Sequence, residues 1–433
     1  MTWRSVIGAG LAACAVALAN CPAAEDKPVK ETPGKDTAGA PVQYVPLDAP
    51  AGTSQAVIVQ GQPLVHTRQL LPLDREGTPV GEGAVDKQIE QVLDNLDAVL
   101  GAAGSGLGKL VRLNVYAITP QTVDRVREQL SKRLDPAVRP AITAVLTPMP
   151  HRQALVAVDA VAVSSETSQT VVLKRCEAVA GDKDGADAAV LPPGGVAYLS
   201  GVPEESDVAT PAATKSMAGL WKTLGQLNIS AAQVVQLKVF LRPAQAADEV
   251  ARRLKEFFPG QMTPPVVFVE WNAQPQAEIE LIAQLPPADK PAPDLEFYNP
   301  PDVPPSAVFS RVALVRGQRQ IYVAGLFARE VSNPATQPGG ETQANDVFAQ
   351  LKAILDQTGS DMRHLAKASY FVCGPFASRG FDVARPALLD PARPPAASLV
   401  MVHGVGKTGR TLTMDMIAVG SNAGGTSRSP SFP

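Results

Sequence analysis

The amino-acid sequence predicts three tandem copies of one small α/β unit. Three observations carry that expectation. One order of elements recurs along the chain: an apolar-striped helix, an alternating strand, a proline step and two apolar strands. The spacing recurs as well, since Gln88 to Tyr116 is 28 residues and Gln343 to Phe371 is 28 residues. The aromatic residues closing the middle strands, Tyr116, Phe240 and Phe371, follow one another at intervals of 124 and 131 residues.

The first copy opens with a helix over about residues 86–103, because Ile89, Val92, Leu93, Leu96, Val99 and Leu100 fall on one face, and Gly104 follows as its cap. Residues 110–116 alternate as a strand. A second helix carries Val123, Val126 and Leu130, and Arg139-Pro140 precedes strands at 142–146 and 155–163, the latter with Asp159 embedded. The second copy places Met217, Leu220, Trp221, Leu224 and Leu227 on its first helix, a strand at 235–240, and Val250, Leu254 and Phe257 on its second helix. Pro264-Pro265 then precedes strands at 266–269 and 277–283. The third copy has Val347, Phe348, Leu351, Ile354 and Leu355 on a helix closed by Gly359. Strands follow at 366–371, 399–402 and 412–419, the last carrying Asp415.

These elements divide the chain into a signal segment (1–24), a flexible linker (25–52), three units (53–166, 167–290 and 291–420) and a disordered tail (421–433). Net charge is −3, with no basic stripe, so nothing points to a nucleic-acid partner. The four histidines have no metal-ligand spacing, and no cofactor motif is present. Gly404-Val405-Gly406-Lys407-Thr408-Gly409 resembles a phosphate loop only superficially, because Met401 stands where the leading glycine is needed; it reads as a hairpin turn between Val402 and Leu412. Cys176 and Cys373 suggest no disulfide framework.

Several stretches carry a resemblance when taken together: residues 88–100, Ala102-Ala103-Gly104, residues 110–116, Arg139-Pro140-Ala141 and Val158-Asp159-Ala160-Val161-Ala162 in the first copy. The second copy adds residues 196–203, with a Ser-Gly pair at Ser200-Gly201, and the ending Glu278-Ile279-Glu280-Leu281-Ile282-Ala283. The third adds Ile321-Tyr322-Val323-Ala324-Gly325. This ordered set resembles the small enamine/imine deaminases, the RidA or YjgF family, in which the Ser-Gly pair recurs. The resemblance implies chorismate-mutase-like domains, each a mixed sheet backed by two helices on one face. Members of the family form homotrimers, so three fused copies imply an intramolecular pseudo-trimer that is monomeric in solution.

The resemblance also implies where chemistry would lie, in clefts between neighbouring units. An arginine after the Pro-Ala step grips a substrate carboxylate, and a glutamate on the last strand positions water. Carried over, the arginine position falls on Ile142, Val266 and Ala396, and the glutamate position on Ala157, Glu278 and Thr413. The Ser-Gly pair falls on Thr67-Arg68, Ser200-Gly201 and Ala324-Gly325. Glu278 and Ser200 are therefore the candidate catalytic residues, and Gly201, Arg68, Arg139 and Arg127 the candidate ligand residues, with Arg393 as the third copy's counterpart of Arg139.

Because every arginine position is apolar or small, the first expectation is a degenerate family member that binds a small anionic or imino-acid-like ligand, or a protein partner, without the parent reaction. The alternative is a diverged hydrolase acting on enamines, imines or related amides through Glu278 and a relocated arginine. The N-terminus reads as an export signal: Arg4, then an apolar run over residues 6–19, then small residues around Asn20-Cys21-Pro22-Ala23-Ala24. Cys14 and Cys21 lie in contexts like a lipoprotein box, so a lipid-anchored form is the variant of a secreted or periplasmic one. Intact mass of protein from its native host tests this: a chain lacking residues up to about Ala24 is expected, and one retaining Met1-Thr2-Trp3 contradicts export.

Overall fold

The structure, a computed structural model, describes residues 40–201, 206–274, 276–288, 290–301, 303–330 and 336–421. The proposed signal segment and nearly all of the proposed tail lie outside the described residues. The first stretch of chain forms β1 (Val42–Val45), β2 (Ala56–Gln60), β3 (Leu64–Thr67), α1 (Val85–Ala102), β4 (Leu110–Ala117), α2 (Pro120–Arg133), β5 (Ala141–Leu146) and β6 (Val156–Val163). The second forms β7 (Val172–Lys174), β8 (Ala188–Leu191), β9 (Val196–Leu199), α3 (Ala209–Gln226), β10 (Val234–Leu241), α4 (Ala247–Leu254), β11 (Val266–Glu270) and β12 (Ala277–Gln284). The third forms β13 (Leu295–Tyr298), β14 (Val312–Val315), β15 (Arg319–Val323), α5 (Gln337–Gln357), β16 (Leu365–Cys373), α6 (Pro375–Leu388), β17 (Ala396–Val402) and β18 (Leu412–Val419).

These strands make three six-stranded sheets of identical order: β5-β4-β6-β3-β8-β7, β11-β10-β12-β9-β14-β13 and β17-β16-β18-β15-β2-β1. In each, the first pair is parallel and the rest antiparallel. Each middle strand also carries a register shift at the same place, Leu110/Arg112, Val234/Gln236 and Leu365/Lys367. The fold is thus mixed α+β, with three similarly built sheets each flanked by helices, as an intramolecular pseudo-trimer requires.

Two strands of every sheet come from the next stretch of chain. β7 and β8 complete the first sheet, β13 and β14 the second, and β1 and β2 return to complete the third. The links β2–β3 (Gly61-Gln62-Pro63), β8–β9 (Pro192-Pro193-Gly194-Gly195) and β14–β15 (Arg316-Gly317-Gln318) are short enough for hairpins, yet each crosses from one sheet to the next. Boundaries at 166/167 and 290/291 therefore divide the chain by repeat and not by sheet. The linker expected over 25–52 is corrected in its last part. β1, on the third sheet's edge, packs Val42 and Tyr44 against the shared inner core and Val45 against the helix-side core, and the Tyr44 hydroxyl donates to the Leu110 carbonyl at 2.8 Å.

Each sheet buries one face under its helices, in clusters built from α1 and α2, α3 and α4, and α5 and α6. Side chains alternate across the middle strand, so Leu113, Val115 and Ala117 face the helices while Arg112, Asn114 and Tyr116 face inward. The inner faces share one core to which all three sheets contribute, including Val59, Val161, Tyr198, Ile282, Tyr322 and Ile417. The anchors Tyr116, Phe240 and Phe371 meet in one cluster. Gln88 and Gln343 do the same task in two units: their amide oxygens accept from Leu155 N at 2.7 Å and Thr411 N at 3.0 Å, where the last strand begins.

Two expectations are corrected here. The segment between Val402 and Leu412 is no hairpin, because β17 and β18 lie on opposite sides of β16 and the loop crosses over it. Helix α6 was not expected: Pro375, Gly380 and Pro386 interrupt its apolar pattern, although Ala377, Phe381 and Ala384 are buried.

Around the pseudo-threefold axis lies a buried polar cluster that encloses a cavity of about 30 Å³. Arg112 pairs with Asp415 across units, and its Nη2 donates to the carbonyls of Val323 (3.0 Å) and Met416 (2.6 Å). Lys367 pairs with Glu280 at 3.2 Å, with Ser369 bridging them. The third acid, Asp159, is held within its own unit by Asn114 (2.9 Å) and the Tyr116 hydroxyl (2.6 Å). Burial works to raise Asp415, but Arg112, Lys367 and Lys238 hold its carboxyl below the usual range. His66 is pushed down to about 3 by burial and by the charges of Arg112 and Lys238, so it stays neutral.

Two outcomes are expected. Light scattering gives the mass of one chain, and a trimer mass contradicts the closed ring. Asp415→Asn strands the buried Arg112 charge and lowers unfolding free energy by about 3–5 kcal/mol in denaturant titration. Because the Asp415 pKa is depressed on folding, this contribution is present above the ordinary carboxylate range and is lost as pH falls through the folded value.

Candidate functional site

Strand register fixes which residues are equivalent. Tyr116 pairs with Ala157, Phe240 with Glu278 and Phe371 with Thr413, so Ala157, Glu278 and Thr413 occupy equivalent positions in the three units. On the other side of the middle strand Tyr116 pairs with Val145, Phe240 with Val269 and Phe371 with Val400. Counting back, Ile142 and Val266 are equivalent, but their third-unit counterpart is Ala397 and not Ala396. The double proline at 394–395 misled the count by one. Ser54 bridging Ala141 and Ser310 bridging Ala396 give the same answer.

The Ser-Gly assignment in the first copy also moves by one. Ser200 N donates to Arg311 O (2.9 Å), Ala324 N to Gln55 O (2.8 Å) and Arg68 N to Asp187 O (2.9 Å), so Arg68 matches Ser200. Gly325 N and Gln69 N likewise donate to Ile142 O (3.0 Å) and Val266 O (3.1 Å). The pair is Arg68-Gln69, and Arg68 stands at the serine position.

Glu278 lies buried where the second and third units meet. Its carboxylate is buried against Gly201, where an added Cβ would lie 2.3 Å from Glu278 Cγ, so only glycine fits. Ser398 Oγ, from β17, donates to Glu278 Oε1 at 2.7 Å. Burial pushes Glu278 up to about 7; the Ser398 hydrogen bond lowers it, Glu280 raises it, and the positive charge of Arg311 lowers it. Arg311 is itself buried and leads into β14, one of the strands the third stretch lends to the second sheet. Ser200 is committed elsewhere: its hydroxyl reaches the carbonyls of Ser310 (2.9 Å) and Arg311 (3.1 Å). A carboxyl that titrates near neutrality can take and return a proton at physiological pH.

The other clefts have lost that acid. Between the first and second units Ala157 and Val267 lie in one apolar cluster. Arg68 is engaged there by Asp187 (2.6 Å), and also donates to the carbonyls of Gln69 and Ala180. Between the third and first units Thr413 and Thr143 bury their hydroxyls beside Gly325. A cavity of about 520 Å³ opens there, with Arg127, Ile142, Gly325 and Lys407 in its wall. Arg139 is exposed and donates to the Pro136 carbonyl at 3.1 Å. Arg393 donates to the Arg363 carbonyl at 3.1 Å and lies over the Phe297 ring.

The structure therefore gathers Glu278, Ser200 and Gly201, but disperses Arg68, Arg127 and Arg139 among other places. The cleft partners missed from sequence are Ser398 and Arg311. The signal for Arg311 was the short run Val312-Ala313-Leu314-Val315, too brief for periodicity to mark as a strand. Among the described residues, no group of three His, Cys, Asp or Glu side chains is arranged to hold a metal ion.

Comparison with known proteins identifies the family. The profile of the family described as endoribonuclease L-PSP matches residues 46–164 and 302–419, more than half of the chain. A RutC family protein of Synechocystis is 33% identical over 124 residues, covering 28% of this chain and 94% of the relative. Protein DfrA of Myxococcus xanthus is 32% identical over 111 residues, covering 26% of this chain and 84% of that protein. The solved Rid-family protein YyfB of Yersinia pestis is 26% identical, with 28% of this chain and 98% of that one covered and a TM-score of 0.25. The chain belongs to the endoribonuclease L-PSP family, which is also the RidA/YjgF family.

Proposed function

We propose that the protein is a diverged enamine/imine deaminase with one chemically equipped cleft, that of Glu278. The family profile does not cover the middle unit; we read it as a third copy because its strand order and register repeat those of its neighbours. The alternative to a purely binding role gains its main support from one observation: the cleft contains both a buried carboxyl titrating at about 7 and a guanidinium, Arg311, whose charge reaches it. The strand arginine is absent, and in this reading Arg311, from an exchanged segment, serves as the clamp.

In this reading a 2-imino acid enters with its carboxylate toward Arg311. Ionised Glu278 removes a proton from water as the oxygen adds to the imine carbon. Glu278 returns that proton to the nitrogen, giving the carbinolamine; the carbinolamine hydroxyl proton then passes by way of Glu278 to the amino group as the C–N bond breaks, and ammonia leaves with the keto acid. Ser398 orients Glu278, while Ser200 and Gly201 shape the wall behind it.

The test generates the imine with an amino-acid oxidase and follows keto-acid release. Acceleration is expected to rise with pH to a plateau above about 7, to vanish in Glu278→Gln, and to show a KM raised about ten- to a hundredfold in Arg311→Met. No acceleration, or acceleration indifferent to Glu278→Gln, contradicts the reading. Stability supplies a second readout of the same carboxyl. A folded pKa raised to about 7 means that Glu278 contributes fully below its unfolded value and that this contribution is lost as pH rises through 7. Glu278→Gln is therefore expected to be more stable than wild type at pH 8.5, by an amount on the order of 3 kcal/mol.

A further inference from the structure

Glu278 does not stand alone on β12. Glu280 lies two residues further along, and such residues share one face of a strand about 7 Å apart. Both side chains are buried. Glu280 belongs to the axial cluster, where Lys367 pairs with it at 3.2 Å. Of the three units only the second has acids at both positions; the equivalents are Ala157 with Asp159 and Thr413 with Asp415.

The third unit reaches both acids from neighbouring strands. Lys367 and Ser369 stand on β16 and Ser398 on β17, with Ser369 and Ser398 paired in register. Ser369 Oγ accepts from Lys367 Nζ at 2.7 Å and donates to Glu280 Oε1 at 3.1 Å. Ser398 Oγ donates to Glu278 Oε1 at 2.7 Å. Two adjacent serines of one unit therefore serve two adjacent carboxylates of the other. From β10, Lys238 faces Glu280 in register and Phe240 faces Glu278. Arg311, leading into β14, adds a positive charge to the surroundings of Glu278, and Gly201 packs against its carboxylate.

Buried charges so close act strongly on one another, because little water lies between them. Burial is the largest influence raising Glu278, and Glu280 adds to it. The Lys367 ammonium opposes that addition by neutralising Glu280.

We infer that Glu280 and Lys367 are positioning residues for the Glu278 site: the charge balance of this axial pair sets how readily Glu278 ionises, and so the pH at which the cleft works. Both act through Glu278 and not on substrate. Their bearing on turnover rests on the deaminase reading; their effect on the carboxyl does not.

Carbon NMR of the whole chain, labelled at the glutamate side-chain carboxyl, reads that effect directly. The Glu278 signal is the one missing from Glu278→Gln, and its wild-type midpoint is expected at about 7. Glu280→Gln should lower the midpoint and Lys367→Met should raise it, each by about one pH unit. Lys367→Arg should keep the wild-type midpoint, since Arg112 occupies the equivalent position in the first unit. Breaking a buried ion pair strands a charge and endangers the fold, so the double variant Glu280→Gln/Lys367→Met is measured as well, with thermal melting as the check. Its midpoint should fall, by less than in Glu280→Gln, because Glu280 acts on Glu278 more strongly than Lys367 does. An unmoved midpoint in the double variant, or a rise in Glu280→Gln, overturns the inference. The pH–rate profile of imine hydrolysis should move with the carboxyl. Shifted midpoints without hydrolysis in the wild type would refute the deaminase reading and leave the pair's effect on Glu278 standing. Hydrolysis that needs Glu278 but keeps one pH profile in all these variants would refute the pair's role and leave the reaction standing.

Discussion

Pairing of β2 with β15 closes a ring that begins with the first strands of the chain and ends with its last sheet. Each of the other sheets is completed in the same way, by strands that the following stretch contributes. Backbone hydrogen bonds, which cannot be left unmade in a buried sheet, thereby tie every unit to its neighbour. The links between sheets are three or four residues long, so the crossing points cannot drift. Everything else follows from this geometry. The inner faces are brought together, the axial acids and bases meet across units, and a cleft forms wherever one unit's last strand faces the next unit's proline step.

Fusion also frees the three clefts from being identical. In a symmetric trimer one substitution alters every site at once. Here the equivalent positions hold Ala157, Glu278 and Thr413, and the residues facing them differ as well. Glu278 receives a hydrogen bond from Ser398, Ala157 clusters with Val267, and Thr413 lies near Thr143. The axis shows the same division. Arg112–Asp415 and Lys367–Glu280 cross between units, whereas Asp159 is satisfied by Tyr116, whose counterparts Phe240 and Phe371 lack the hydroxyl. These pairings are directional, so they favour one order of units around the ring.

Much of the fold was legible in the sequence because its signals are periodic. The stripe from Ile89 to Leu100 and the alternation of residues 110–116 marked α1 and β4, and the 28-residue spacing marked the repeat. The exchanged strands were not legible. β8 and β14 are four-residue apolar runs without alternation, and β1 lies at the end of a Pro- and Gly-rich stretch. Partner choice between sheets is a tertiary fact that no local pattern records. The site was legible in part for the same reason. Glu278 stands in a strong strand pattern, but Arg311 reaches it from a borrowed segment, and the one-residue errors at Ala396 and at Thr67-Arg68 arose where prolines or a missing glycine removed the landmark.

The closure between β2 and β15 is open to direct measurement. Gln60 and Arg319 face each other in register, beside the hydrogen-bonded pair Gly61–Gln318, where the Gly61 N to Gln318 O distance is 2.9 Å. Such non-hydrogen-bonded pairs have Cα atoms about 4.5 Å apart, close enough for a disulfide. With Gln60→Cys and Arg319→Cys as the only cysteines, mild oxidation should yield one intrachain crosslink in a chain of unchanged mass, joining the two peptides in a digest. A crosslink between chains, or none under conditions that oxidise exposed thiol pairs, would contradict the closed ring.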